Sequence, residues 1–153
     1  MVDLARWITG QEVGEVYAES GTRFTDIPVE DVDLLSMELE DGTPFTHDGS
    51  WRQPESWEFW GDVTLRLIGT ESVIEVDCFD QTIQETRESE GIEAVHWGED
   101  MNEGLLRDFA AAVRDDREPE IPGEEGAREV AVVEAAYESV ETGEPVAVSY
   151  EDR

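Results

Sequence analysis

Forty acidic residues against ten arginines, with no lysine and a formal charge of −30 over 153 residues, set the main constraint on how this chain folds. Like charges at this density destabilise a compact state by self-repulsion, and screening relieves them once the Debye length falls to ~3 Å at 1 M salt. A solvating tail does not match the composition, because 39% of the residues are apolar, thirteen are aromatic and the acids run along the whole chain. The expectation is a folded protein adapted to high salt. The same charge repels phosphate backbones and anionic lipid heads, so nucleic acid and membrane are excluded as partners. No run approaches the ~20 apolar residues of a membrane span. Met1–Gly10 lacks the basic and apolar regions of a signal peptide, which gives a cytoplasmic reading. Cys78 is the single cysteine; lying in an alternating run, it reads as a small core residue with no internal disulfide.

Hydrophobic spacing divides the chain into elements without a linker, so residues 1–153 read as a single domain. Leu4, Trp7 and Ile8 predict a short amphipathic helix with Asp3 near its start and Gly10 past its end. In Val32–Glu40 the residues Leu35, Met37 and Leu39 share one face, and Asp41-Gly42 supplies a hairpin turn before Thr43–His47 returns. Val63, Leu65 and Leu67, then Ile74, Val76 and Cys78 after a turn at Gly69–Ser72, predict another antiparallel pair. Val13–Phe24, Thr82–Arg87 and Ile92–Trp97 are further strand candidates. Leu105, Leu106, Phe109 and Val113 form a helical stripe with Asn102 as N-cap, ending before Pro119 and Pro122. A last helix from Glu124 to Thr142 is expected to bury Val130, Val133, Ala136, Tyr137 and Val140, with Gly143 and Pro145 stopping it before a closing strand at Val146–Ser149. The expected fold class is α+β: an open-faced, mainly antiparallel sheet of about six strands with helices packed on one face.

Compact motifs for dinucleotide, phosphate or zinc chemistry are absent from the sequence: it has no Gly-x-Gly-x-x-Gly, P-loop, His-Glu-x-x-His or Cys-x-x-Cys. His47 and His96 stand far apart, and no nucleophile-base order emerges.

The opening Asp3-Leu4-Ala5-Arg6-Trp7-Ile8-Thr9-Gly10 resembles the helix that enters the second domain of the glucose-fructose oxidoreductase/inositol dehydrogenase/MocA (Gfo/Idh/MocA) oxidoreductase family. The far end, Glu134-Ala135-Ala136-Tyr137-Glu138-Ser139 through Gly143-Glu144-Pro145-Val146, is similar to that family's closing helix and strand. Ser50-Trp51-Arg52-Gln53-Pro54 and Trp60-Gly61-Asp62 resemble segments of one branch. Together these cover nearly the whole chain. The resemblance implies a C-terminal substrate-binding and oligomerisation domain. In full members an N-terminal Rossmann domain carries NAD or NADP and a glutamate-lysine-proline motif with a catalytic lysine. The family's Asp-x-x-x-His-x-x-Asp motif would place its last aspartate at Asp3 and its proton-transferring histidine just ahead of Met1.

The resemblance therefore implies a chain with no catalytic residue and no cofactor of its own, silent in isolation, whose Rossmann half is missing or separate. Its expected partners are a small sugar or polyol and further copies of itself through the sheet face. The substrate-binding candidates are Trp51, Arg52, His47 and Asp3. Trp51, Trp57 and Trp60 supply rings that stack on sugars or fill a core, and Arg52 hydrogen-bonds hydroxyls or neutralises nearby acids. His47 ends the hairpin strand at a pocket lip. Asp3 lies beside the lost acid-base pair or serves only the positive end of its helix. The competing reading is a stand-alone, non-catalytic module that self-associates or binds a sugar through the tryptophan segment.

Overall fold

In chain order the elements are α1 (Val2–Thr9), β1 (Val13–Gly21), β2 (Val32–Leu39), β3 (Pro44–Asp48), β4 (Thr64–Ile68), β5 (Val73–Asp77), β6 (Thr82–Arg87), β7 (Gly91–His96), α2 (Met101–Asp115), α3 (Gly123–Thr142) and β8 (Val146–Ala147). This computed structural model describes residues 1–53, 56, 62–79, 82–87, 91–96 and 100–150, with the backbone alone for 82–87 and 91–96. The fold is α+β, and every strand pair among the described residues is antiparallel. Among the described residues the strands form a four-stranded sheet in the order β3-β2-β1-β8 and two separate ladders, β4-β5 and β6-β7. Contacts divide the chain into two compact units, Met1–Arg52 with Arg117–Arg153, and Gln53–Asp116.

In the first unit the hairpin follows from its sequence. Leu35 faces Ala18 and His47 across the ladders, Met37 faces Val16 and Phe45, and Leu39 pairs with Val13. Gly42 adopts a left-handed φ of 85°, which an L side chain rarely adopts. The Asp41 carboxylate accepts from Thr43 N at 2.9 Å and closes the turn. Val13, Val16, Met37 and Leu39 are buried against Val132, Ala135 and Ala136 of α3. A fully buried apolar side chain of this size contributes ~1.5–3 kcal/mol.

The covered face of α3 differs from the one its large apolar residues predict. Ala131, Val132, Ala135, Ala136 and Ser139 are buried, whereas Val130, Val133, Tyr137 and Val140 remain exposed. Small residues let the helix backbone approach β1 closely. Ala18 N lies beyond the two residues of β1 that pair with β8, and it donates to Ser139 Oγ at 3.0 Å instead. The Ser139 hydroxyl donates in turn to Glu144 O at 2.8 Å, fixing the turn after the helix. Tyr150 does a similar job at Val13, its hydroxyl donating to Val13 O and accepting from Val13 N.

α1 ends at Gly10 in the left-handed conformation, as its sequence suggests. Its stripe is a correction, however: Trp7 is 79% exposed, and Ala5 and Arg6 are buried instead. The Arg6 guanidinium holds Glu12 through two bonds of 2.7 and 3.1 Å, Glu125 at 2.9 Å and Asp3 at 3.3 Å. Hydrogen bonding to Glu12 leads the factors that raise the Arg6 pKa, and the same bond keeps Glu12 below the usual carboxylate range. β1 stops at Gly21, short of Phe24, because the following loop wraps the fully buried Asp31. That carboxylate accepts from the backbone N–H groups of Arg23, Phe24 and Thr25 and from the Thr25 hydroxyl, at 2.7 to 2.9 Å. Burial works to raise its pKa, but the four donors outweigh burial and bring it down to about 2.

In the second unit β4 and β5 pair from Thr64↔Asp77 to Ile68↔Val73, and Gly69 N donates to Ser72 O across the turn. The N-cap of α2 is Asp100 rather than Asn102; its Oδ1 accepts from Asn102 N at 2.7 Å and Glu103 N at 3.1 Å. Its expected buried stripe, Leu105, Leu106, Phe109 and Val113, is exposed, and Ala112 is the buried residue of this helix. Cys78 is half-buried just past β5.

Candidate functional site

Two rows of cross-strand neighbours build one wall of a groove in the first unit. Ala18, Leu35 and His47 stand side by side on β1, β2 and β3, and Ser20 faces Asp33 in the adjoining row. α3 supplies the opposite wall with Glu129, Val132, Val133, Ala136, Tyr137 and Val140, and Met1, Val2 and Glu30 complete a cavity of about 230 Å³. Val133, Tyr137 and Val140, exposed along α3, are thus groove wall, while Ala131, Ala135 and Ser139 are buried on its other side.

The three carboxylates, Tyr137 and His47 are each held by a neighbour. Tyr137 Oη donates to Glu30 Oε1 at 2.6 Å. This bond holds Glu30 below, and Tyr137 above, their ordinary pKa values. Gly49 N donates to Asp33 Oδ1 at 3.0 Å, and a Cβ at position 49 would come within 2.4 Å of that oxygen. Only glycine fits there without displacing Asp33. Glu129 accepts from Asp3 N. His47 stacks on Phe45, with centroids 6.5 Å apart. Burial, then the Met1 amino group, lowers its pKa, while Asp33, Asp48 and Glu129 pull the other way. The net shift is downward, which favours the neutral imidazole.

Of the candidates from sequence, the structure brings His47 into the groove. Asp3 stands behind Glu129, its backbone N–H on that carboxylate and its side chain on Arg6. Trp51 and Arg52 are exposed and not among the lining residues; Trp51 Nε1 donates to Glu30 O at 2.9 Å, behind the rim. Trp57 and Trp60 lie outside the described residues, and His96 ends β7. Sequence reading missed Glu30, Asp33, Glu129 and Tyr137. Asp33 carried a usable signal, since it continues the face of Leu35, Met37 and Leu39 with a carboxylate where the alternation calls for an apolar group. Among the described residues no cluster of His, Cys, Asp and Glu is arranged to hold a metal ion, and no helix is long and apolar enough to cross a membrane.

An antiparallel sheet packed against a helix, with a polar groove left open between them, defines the class as an open-sheet α+β domain. Residues 1–75 match the family described as GFO/IDH/MocA C-terminal domain. The chain is similar to GenD2 from gentamicin A biosynthesis, solved in complex with NAD, with 25% identity and a TM-score of 0.81 over 97% of this chain and 45% of that one. It shares its fold with myo-inositol 2-dehydrogenase from Lactobacillus plantarum, with 18% identity and a TM-score of 0.73 over 97% of this chain and 46% of the other. The same holds for scyllo-inositol dehydrogenase from Lactobacillus casei with bound NAD(H) and scyllo-inositol, with 20% identity and a TM-score of 0.67 over 95% and 45%. No curated protein matches the sequence. The family match covers residues 1–75, and the chain spans less than half the length of these structures.

Proposed function

We propose that this chain is the substrate-side domain of an NAD(P)-dependent oxidoreductase acting on a sugar, a polyol or a related metabolite, in the cytoplasm, and that it is catalytically silent alone. The observation that carries this reading is the groove between α3 and the sheet. There His47, Asp33, Glu30 and Tyr137 converge over an apolar floor of Ala18, Leu35, Val132 and Ala136. Such a surface matches a ring with one apolar face and a fringe of hydroxyls. Copies of the chain associate through the sheet face.

The described residues do not fit a dinucleotide. A pyrophosphate is best held at a helix N-terminus, yet the first turns of the three helices carry Asp3, Glu103, and Glu124 with Glu125. When bound to such an enzyme the nicotinamide supplies hydride transfer. The role assigned here to this chain is to orient the substrate and shield it from water, with His47 within the groove as a neutral hydrogen-bonding group.

Reading the DNA upstream of the Met1 codon tests the proposal. An in-frame strand, glycine-rich turn and glutamate-lysine-proline motif are expected, and an unrelated coding or noncoding stretch counts against the reading. Turnover of NAD with a polyol by the purified 153-residue chain would overturn it outright.

A further inference from the structure

The hydrogen-bonding inventory of the groove is one-sided. Ionised carboxylates only accept, and three of them, Glu30, Asp33 and Glu129, line the cavity. The Tyr137 hydroxyl has its proton committed to Glu30. What is left to donate is the Ser20 hydroxyl, one N–H of His47 and the Met1 amino group. No lining side chain is an arginine, and the only cationic group among the lining residues is the Met1 amino group. A carboxylate or phosphate placed here would meet like charge and find few donors, whereas an ammonium group has three donors and no acceptor.

The sign of the charge and the excess of acceptors over donors, both set by the three carboxylates, therefore point the same way. Both lie in a cavity whose floor is apolar, where a charge-assisted hydrogen bond is stronger than on an open surface. From these we infer that the groove selects an amine-bearing sugar or polyol over its neutral counterpart and rejects sugar acids, with Glu30, Asp33 and Glu129 as the specificity-determining residues. The inference rests on the proposal that the groove is the substrate wall and names the class of substrate.

The geometry divides the work among the three carboxylates. Asp33, on β2, accepts from Gly49 N, and Glu129, on α3, accepts from Asp3 N, so two carboxylates face the cavity from opposite walls. Glu30 lies at the rim, held by Tyr137. An amine entering between them meets acceptors already ordered and pays little for their immobilisation.

The experiment is a titration of the ¹⁵N-labelled 153-residue chain in 2 M KCl with glucosamine, methyl glucoside and glucuronate, following backbone amide shifts by NMR. Because a cation also adheres weakly to so acidic a surface, ethylammonium serves as the control and the shifts must map to the groove, at Ser20, Leu35 and Ala136. Glucosamine should bind about tenfold more tightly than methyl glucoside, the discrimination that one charge-assisted hydrogen bond supplies, and glucuronate should not bind. Glu30→Gln and Asp33→Asn, each checked for fold by circular dichroism, should bring glucosamine toward the neutral sugar. N-terminal acetylation, which removes the competing amino group, should strengthen it. Equal binding of all three sugars at the groove, or a preference for glucuronate, overturns the inference and leaves the substrate-wall reading standing. Shifts scattered over the surface and matched by ethylammonium also overturn it. Silence of the groove towards all three removes the substrate-wall reading and this inference together.

Discussion

The two units use similar sequence patterns to different ends. In the first, α3 lies on β1, and its helical hydroxyl, a buried arginine and a buried aspartate all have partners. In the second, α2 carries as clear an apolar stripe, yet Leu105, Leu106, Phe109 and Val113 are 57 to 69% exposed. Of the described residues in that unit, Phe79 and Ala112 are buried. Periodicity locates a helix, but what the helix is pressed against decides whether its stripe becomes core.

Four substitutions set the units against each other. The largest effect is expected from Arg6→Ala, which leaves Glu12 and Glu125 without their buried cation and lowers stability by about 3 kcal/mol. Hydrogen exchange should localise the loss to β1 and α3; an unaltered protection pattern would break the view that this cluster ties the first unit together. Ser139→Ala removes the acceptor for Ala18 N and the donor to Glu144 O, and should cost about 2 kcal/mol in denaturant unfolding. A cost near zero would mean that α3 is seated by small-residue packing alone. Gly49→Ala should cost about 1 kcal/mol, because Asp33 must rotate off its Gly49 bond. An unchanged Asp33 carbonyl resonance by NMR would contradict that displacement. In the second unit Leu106→Ala, at an exposed position, should change stability by no more than about 0.5 kcal/mol. A loss comparable with that of Ser139→Ala would show that the α2 stripe is covered in solution.

Acid provides a further contrast. The folded pKa of Asp31, about 2, lies below its ordinary value of 3.8. Its carboxylate therefore stabilises the first unit above pH 3.8, and that contribution is lost as pH falls through about 2. Asp31→Asn should lower stability at pH 7 and flatten the acid limb between those values. An unchanged limb, followed through β1 and β2 amides, would assign acid unfolding to other groups.

The hairpin was legible because its signal is local: alternation at 35, 37 and 39 and a turn that needs positive φ at Gly42. Helix ends were nearly as legible. The α2 cap moved by two residues because Asp100 and Asn102 are both capping residues, and only geometry decides which oxygen reaches the first free N–H groups. The face of α3 was misread because volume was taken as the mark of burial. Close approach to β1 requires Ala131, Ala135 and Ser139 on the inside and turns Val133 and Tyr137 into groove wall. The groove itself was legible only at His47. Its carboxylates come from 30, 33 and 129, distant in sequence and inconspicuous among forty acids.

The borders of the four-stranded sheet carry a further consequence. On one side β3 begins with Pro44, which has no N–H to offer; on the other, β8 pairs over two residues only, and Tyr150 occupies the backbone groups of Val13. Neither rim presents a long open row for a foreign strand to extend. If brine screens the mutual repulsion that would otherwise keep such molecules apart, this blunting acts as a second defence against fibrous aggregation, one that salt cannot switch off.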